Sequence, residues 1–183
     1  MRVITGSARG RKLKTLEGTD VRPTTDMVKE SIFSIIQFDI DVSEILDLLS
    51  GSGQLGIEAI SRGAKYCRYI DKNREAADIT RENVNAAGFK DISYVANLDS
   101  IDFLKSSRHT FDIALLDPPY NMGLHEKVLP LLEPRMSERG IVVCEHEKGL
   151  VLPDEYGRLK KKKTYRYGKV ELTVYRVPFN EEG

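Results

Sequence analysis

The sequence predicts an α/β fold, a doubly wound and mostly parallel sheet with helices on both faces, finished by a C-terminal antiparallel hairpin. Three observations lead there. Short, nearly continuous apolar runs (EILDLL, YCRYID, ISYVAN, DIALLD, IVVCEH) alternate with stretches of helical character, as strands buried on both faces do. Glycines and acids gather where those runs end, the edge at which open α/β sheets bind ligands. The segment LKKKKTYRYGKVELTVYRV then breaks the rhythm, with two strand-like halves around Tyr167 and Gly168.

Each element has a local reason. Residues 1–21 combine short apolar pairs with glycine and basic residues, which predicts a small N-terminal hairpin or arm. From Pro23 the period changes: Thr24 or Thr25 can cap a helix over about 24–37, in which Val28, Ile32, Ile35 and Ile36 form one apolar stripe. Further helices are expected over 53–63, 73–87 (ended by Gly88), 99–106 and near 122–137. A length of 183 residues fits one domain, with a basic arm over 1–22 and the main fold over 23–183.

Composition narrows the function classes. With 40% hydrophobic and 31% charged residues the chain has material for a core, unlike a disordered segment. No apolar run approaches the ~18 residues of a membrane span, and the N-terminus lacks a signal-peptide stretch, so a cytoplasmic protein without membrane contact is expected. Cys67 and Cys144 form neither a C-x-x-C pair nor a disulfide framework and read as buried thiols. His109, His125 and His146 show no ligand spacing, and no metal is expected; His146, between Glu145 and Glu147, reads as a polar strand end.

Charge is balanced in total, 28 basic against 28 acidic groups, yet segregated along the chain. The first 22 residues and the 158–169 segment are strongly basic, so the remainder is acidic. Arg9, Arg11, Lys12 and Lys14 in the arm, with Lys160, Lys161, Lys162, Lys163 and Arg166 in the hairpin, are the candidate contacts to a polyanion, and Tyr165 and Tyr167 add stacking faces among them.

The motifs carry the chemistry. The first strand runs into Asp47-Leu48-Leu49-Ser50-Gly51-Ser52-Gly53-Gln54-Leu55-Gly56, a G-x-G-x-x-G turn into a helix where glycine lets backbone approach a ligand closely. The second strand ends at Asp71, followed by Lys72, where a carboxylate can accept from both hydroxyls of an adenosine ribose. An acid at Asp47 would repel a pyrophosphate and suits S-adenosylmethionine, which carries an ammonium and a sulfonium; a dinucleotide is the runner-up on spacing alone. Asp99, lined by Leu98 and Ser100, can accept from the adenine amine and also cap the next helix.

At the end of DIALL stands Asp117-Pro118-Pro119-Tyr120. An exocyclic amine on a base is a poor nucleophile because its lone pair is delocalised into the ring. The Asp117 carboxylate and the Pro118 carbonyl offer two acceptors for its N–H bonds, the prolines fix the backbone, and Tyr120 offers a stacking face. This is positioning for in-line methyl transfer, with no metal or covalent intermediate required. A dehydrogenase lacks a hydride-handling site here, a serine hydrolase lacks G-x-S-x-G, and a noncatalytic RNA-binding module would not need the glycine turn.

The D-x-x-x-G-S-G and D-P-P-Y pair resembles the class I S-adenosylmethionine-dependent methyltransferases that act on exocyclic amines. MRVITGSARGRKLKT, RPTTDMVKESIF and YRYGKVELTVYR resemble the RsmD family of 16S rRNA guanine-N2 methyltransferases, and the match covers essentially the whole chain. The resemblance implies a seven-stranded sheet, small-subunit rRNA in an assembling particle as substrate, and N2-methylguanine as product; the size of the chain and its lack of an obvious exposed apolar stripe make a monomer the expectation. It also implies that Asp47, Gly51, Gly53, Asp71 and Asp99 hold the cofactor, with Ser50, Ser52 and Lys72 beside them, and that Arg22 and Thr24 lie near its methionine end. Leu49 stands where the family commonly has Phe, and Asp71 where Glu is frequent. DNA or RNA adenine-N6 and protein glutamine methylation are the alternatives that share this kind of site.

Overall fold

The computed structural model describes residues 1–17 and 25–179. Five parallel strands, β1 (Glu44–Leu48), β2 (Tyr66–Asp71), β3 (Ser93–Asn97), β4 (Phe111–Leu116) and β5 (Met136–Glu147), are extended by antiparallel pairing to β6 (Glu155–Tyr156), β7 (Leu159–Tyr167) and β8 (Val170–Arg176). The order across the sheet is β3-β2-β1-β4-β5-β8-β7-β6, with the reversal of winding beside β1 and β4.

Successive strand residues enter opposite layers. Ile45, Ile113 and Val143 face one core with Val28, Ile32 and Phe33 of α1 (Asp26–Ile35), Ile57 and Ile60 of α2 (Gln54–Ser61), and Val84 of α3 (Arg74–Ala86). Leu46, Ala114 and Val142 face the other, with Phe103 of α4 (Ser100–Ser106) and Val128, Leu129 and Leu132 of α5 (Leu124–Leu132). Thr25 caps α1, its side chain accepting from the Val28 N–H at 3.3 Å. Thr24, the other candidate cap, and Arg22 lie outside the described residues.

Two expectations need correction. The sheet has eight strands rather than seven, because Glu155–Tyr156 adds a two-residue edge strand to β7 through the turn at Gly157 (φ 55°). So short a strand shows no period in sequence. The helix expected near 122–137 ends at Leu132, passes through a single 3₁₀ turn (Glu133–Arg135) and gives way to β5 at Met136. Pro134 has no N–H with which to continue the ladder, so the helix stops although the apolar rhythm runs on.

The N-terminal hairpin forms, with an antiparallel bridge between Arg2 and Lys12, and it is fastened to the body. The Ser61 hydroxyl donates to Thr5 O (2.6 Å) and accepts from the Ala8 N–H (3.0 Å). Gly6, at φ 95°, sits so close that a Cβ would lie 1.8 Å from Ser61 O. Beneath it the wholly buried Glu58 carboxylate accepts from the N–H groups of Ile4 (2.9 Å) and Thr5 (3.0 Å) and from Arg62 Nε (3.0 Å), and lies 3.5 Å from the wholly buried Lys29 ammonium. Lys29 donates to Arg2 O at 2.9 Å, and burial pulls its pKa down while Glu58 raises it. Glu58→Ala strands the Lys29 charge and two backbone donors, and is expected to cost about 3–5 kcal/mol in urea unfolding.

Candidate active site

The carboxyl ends of β1, β2 and β4 converge because the three strands pair in parallel, Asp47 opposite Tyr69 on one side and Leu115 on the other. Past β1 the chain turns sharply: Leu49 takes φ 64°, Gly51 φ 59° and Gly53 φ 80°, and α2 begins at Gln54. Left-handed backbone costs glycine little, whereas Leu49 holds it under strain. The turn is bonded from several sides. The Gly51 N–H donates to Asp71 Oδ2 (2.9 Å), the Thr80 hydroxyl donates to Gly51 O (2.8 Å), and Asn83 Nδ2 donates to Ser52 O (2.8 Å). Asn83 also accepts from the Lys14 N–H (2.8 Å) and donates to Lys14 O (2.9 Å), so one buried amide ties the arm to the turn.

Open space lies where a Cβ on Gly51 would project, while one on Gly53 would meet Thr80 Cγ2 at 2.8 Å. Ser50 Oγ and Gln54 Oε1, both buried at this turn, have no hydrogen-bond partner among the described residues. Exposed backbone approach and unsatisfied buried polar atoms fit a polar ligand seated on the turn.

Asp47 is buried beneath α2, its Oδ2 accepting from the Gly56 N–H at 3.0 Å. Burial drives its pKa well above the carboxylate range, and the nearby Asp117 and Asp71 charges push it the same way against the Gly56 bond. Three carboxylates from three strand ends therefore share one neighbourhood, an arrangement suited to a cation. Asp117 and Tyr120 are half-buried, Pro118 is buried and Pro119 exposed; Asn121 (φ 62°) and Gly123 (φ 61°) then turn the chain into α5.

The rim residues sit as follows. Asp99 caps α4, its Oδ1 accepting from the Ile101 (2.9 Å) and Asp102 (3.1 Å) N–H groups; Ser100 is buried and Leu98 exposed beside it. Lys72 is exposed, and its carbonyl, with that of Asp71, accepts from Asn97 Nδ2. Thr80, Asn83, Gln54 and Asn97 escaped the sequence reading. Thr80 and Asn83 carried a signal, being polar residues on the α3 face that Ala76 and Val84 otherwise make apolar. In the arm Arg9, Arg11 and Lys12 are exposed, and Lys14 pairs with Glu82 (2.6 Å). The hairpin bases are unequal: Lys160 pairs with Glu155 (2.6 Å), Lys161 with Asp154 (3.1 Å) and Arg166 with Glu171 (3.5 Å), while Lys162 and Lys163 have no carboxylate partner among the described residues.

A sequence model of the family described as conserved hypothetical protein 95 matches residues 1–176. The chain is 36% identical to ribosomal RNA small subunit methyltransferase D of Haemophilus influenzae, over 90% of this chain and 89% of that one. The solved structure of yhhF from Escherichia coli superposes with a TM-score of 0.87 at 30% identity, covering 97% of each chain. An RNA methyltransferase from Salinibacter ruber, solved with S-adenosyl-L-homocysteine, shares the fold at 19% identity and TM-score 0.67, over 88% of this chain and 98% of that one.

The cysteines and two of the histidines are buried. Burial pushes both thiols up. Among the described residues no cluster of His, Cys, Asp or Glu is placed to hold a metal. His146 bridges Glu147 O (2.9 Å) and the Thr173 hydroxyl (2.7 Å) inside the sheet. His125 Nε2 lies 3.0 Å from Glu145 O, and burial lowers its pKa to about 4. Between that value and the ordinary 6.5 the unfolded chain takes up the proton and the folded one does not, so stability falls as pH drops through this window. From pH 7 to pH 5 the loss is expected to be about 2 kcal/mol, and His125→Gln should flatten that dependence in urea titrations at the two pH values.

Proposed function

The chain belongs to the RsmD family, and from that premise we propose that it transfers a methyl group from S-adenosylmethionine to the exocyclic N2 amine of a guanine in small-subunit rRNA. One observation carries the reading: the glycine turn after β1 and the D-P-P-Y motif after β4 follow adjacent, parallel-paired strands, with Asp71 and Asp117 both in electrostatic range of Asp47.

When bound, S-adenosylmethionine supplies an electrophilic methyl group on a sulfonium. The turn Ser50–Gly53 receives its polar end, with Ser50 Oγ and Gln54 Oε1 as waiting acceptors and the buried Asp47 carboxyl behind them. Asp71 accepts from the ribose hydroxyls while keeping its bond to the Gly51 N–H, since each carboxylate oxygen has two lone-pair positions. Leu98, Asp99 and Ser100 line the adenine side. Asp117 and the Pro118 carbonyl accept the two N–H bonds of the guanine amine, orienting its lone pair toward the methyl group, and Tyr120 stacks on the ring. The basic arm and hairpin meet RNA phosphates, and the target base is presented unpaired.

Labelled S-adenosylmethionine, offered to small-subunit rRNA and partly assembled particles from a strain lacking the protein, is expected to yield N2-methylguanosine on nucleoside analysis. Label in N6-methyladenosine or in protein overturns the substrate assignment. Asp117→Ala is expected to lower kcat about a hundredfold or more with cofactor binding kept. Retained turnover removes its role. Gly53→Ala, forced to φ 80° against Thr80, should weaken cofactor binding about tenfold by calorimetry.

A further inference from the structure

The hairpin carries more than charge. The pairings Lys163↔Val174, Tyr165↔Leu172 and Tyr167↔Val170 put Lys163, Tyr165 and Tyr167 on the sheet face covered by α1, because Val174, Leu172 and Val170 belong to that core. The β-bulge between Lys161 and Lys163 is what brings Lys163 onto this face. There its ammonium stands 4.7 Å from the Tyr165 ring centroid. Both tyrosines pack their inner edges on the core and stay half-buried, and between them and α1 runs an open groove of about 550 Å³ lined by Met27, Glu30, Ser31 and Ile35. Met27 is 59% exposed at its lip.

We propose that this groove between α1 and β7 is a stacking subsite for unpaired RNA bases that flank the target guanine. The inference rests on the rRNA reading above and adds the place where neighbouring nucleotides are held. The occupant must be flat, partly apolar and anionic at its edge. Two aromatic rings one strand period apart, roughly 7 Å, offer faces for bases, and Lys163 offers a cation for the adjoining phosphate. Glu30 and the serine hydroxyls of α1 give base amines acceptors. Position agrees: β5 and β8 separate β7 from β4, so the groove lies about 14 Å across the sheet from Asp117. Tyr165 and Tyr167 stand toward the same carboxyl edge, since Thr164 pairs with Thr173 and Thr173 with Cys144, which is level with Leu116. A few nucleotides of single strand span that distance. Lys160 and Lys161, held by their own acids at the other end of β7, are not needed for it.

The chain has no tryptophan, so Tyr165→Trp and Tyr167→Trp each install a single reporter. Short single-stranded RNA is expected to quench either reporter, and inorganic polyphosphate of matching charge is not; equal quenching by both, or by neither, overturns the subsite. In methyl transfer to small-subunit particles, Tyr165→Leu and Tyr167→Leu keep apolar packing and should raise KM about tenfold with kcat and cofactor binding unchanged, while Tyr→Phe at either position stays near wild type. Leu variants with wild-type KM overturn it. RNA-specific quenching in a protein that methylates no rRNA would uphold base stacking in the groove and refute the substrate reading, so the two fail separately.

Discussion

A single buried carboxylate organises the N-terminal half of the molecule. Glu58 has no solvent exposure, and an ionised acid in that position is tolerable only if donors surround it. They come from separate parts of the chain: backbone of the N-terminal arm at Ile4 and Thr5, Lys29 of α1, and Arg62 at the end of α2. Lys29 in turn reaches Arg2 O. The arm, α1 and α2 are thus held in one register by a charge cluster that none of them could satisfy alone. Because α2 opens at the glycine turn, the placement of that turn inherits this constraint, and Asn83 repeats it by bonding arm and turn together.

At the carboxyl edge the logic is opposite. Parallel pairing brings Asp71 and Asp117 into electrostatic range of Asp47, and the Gly56 N–H relieves Asp47 only in part. The strain at Leu49 and the orphaned Ser50 and Gln54 atoms lie in the same few residues. The fold's polar contacts anchor the turn from behind and leave Ser50 Oγ and Gln54 Oε1 under-satisfied, as the proposed ligand site requires.

Much of this was legible because buried parallel strands leave an unbroken apolar trace: YCRYID coincides with β2, and β1, β3 and β4 agree to within a residue at each end. Asp47, the glycines, Asp71, Asp99 and D-P-P-Y were readable because each sits where an apolar run ends. What escaped depends on tertiary context. Glu155–Tyr156 is a strand only because β7 lies beside it. Leu131, Leu132 and Met136 continue a helical rhythm that Pro134 cuts. Asn83 looks like one more polar residue on a helix until the arm folds against it, and the lysine run looks uniform until half of it meets acids of its own chain.

The edge of the sheet gives that lysine run a second meaning. β6 covers β7 only at Leu159 and Lys160, and beyond the Lys161 N–H, which reaches Asp154 O at 2.8 Å, the outer rim of β7 has no ladder partner among the described residues. An open strand rim is a template on which another copy of the chain can polymerise. Here it is bulged at Lys162 and bears like charges that would face each other in any such pairing. The same side chains that enrich the hairpin in positive charge therefore also oppose pairing along this rim.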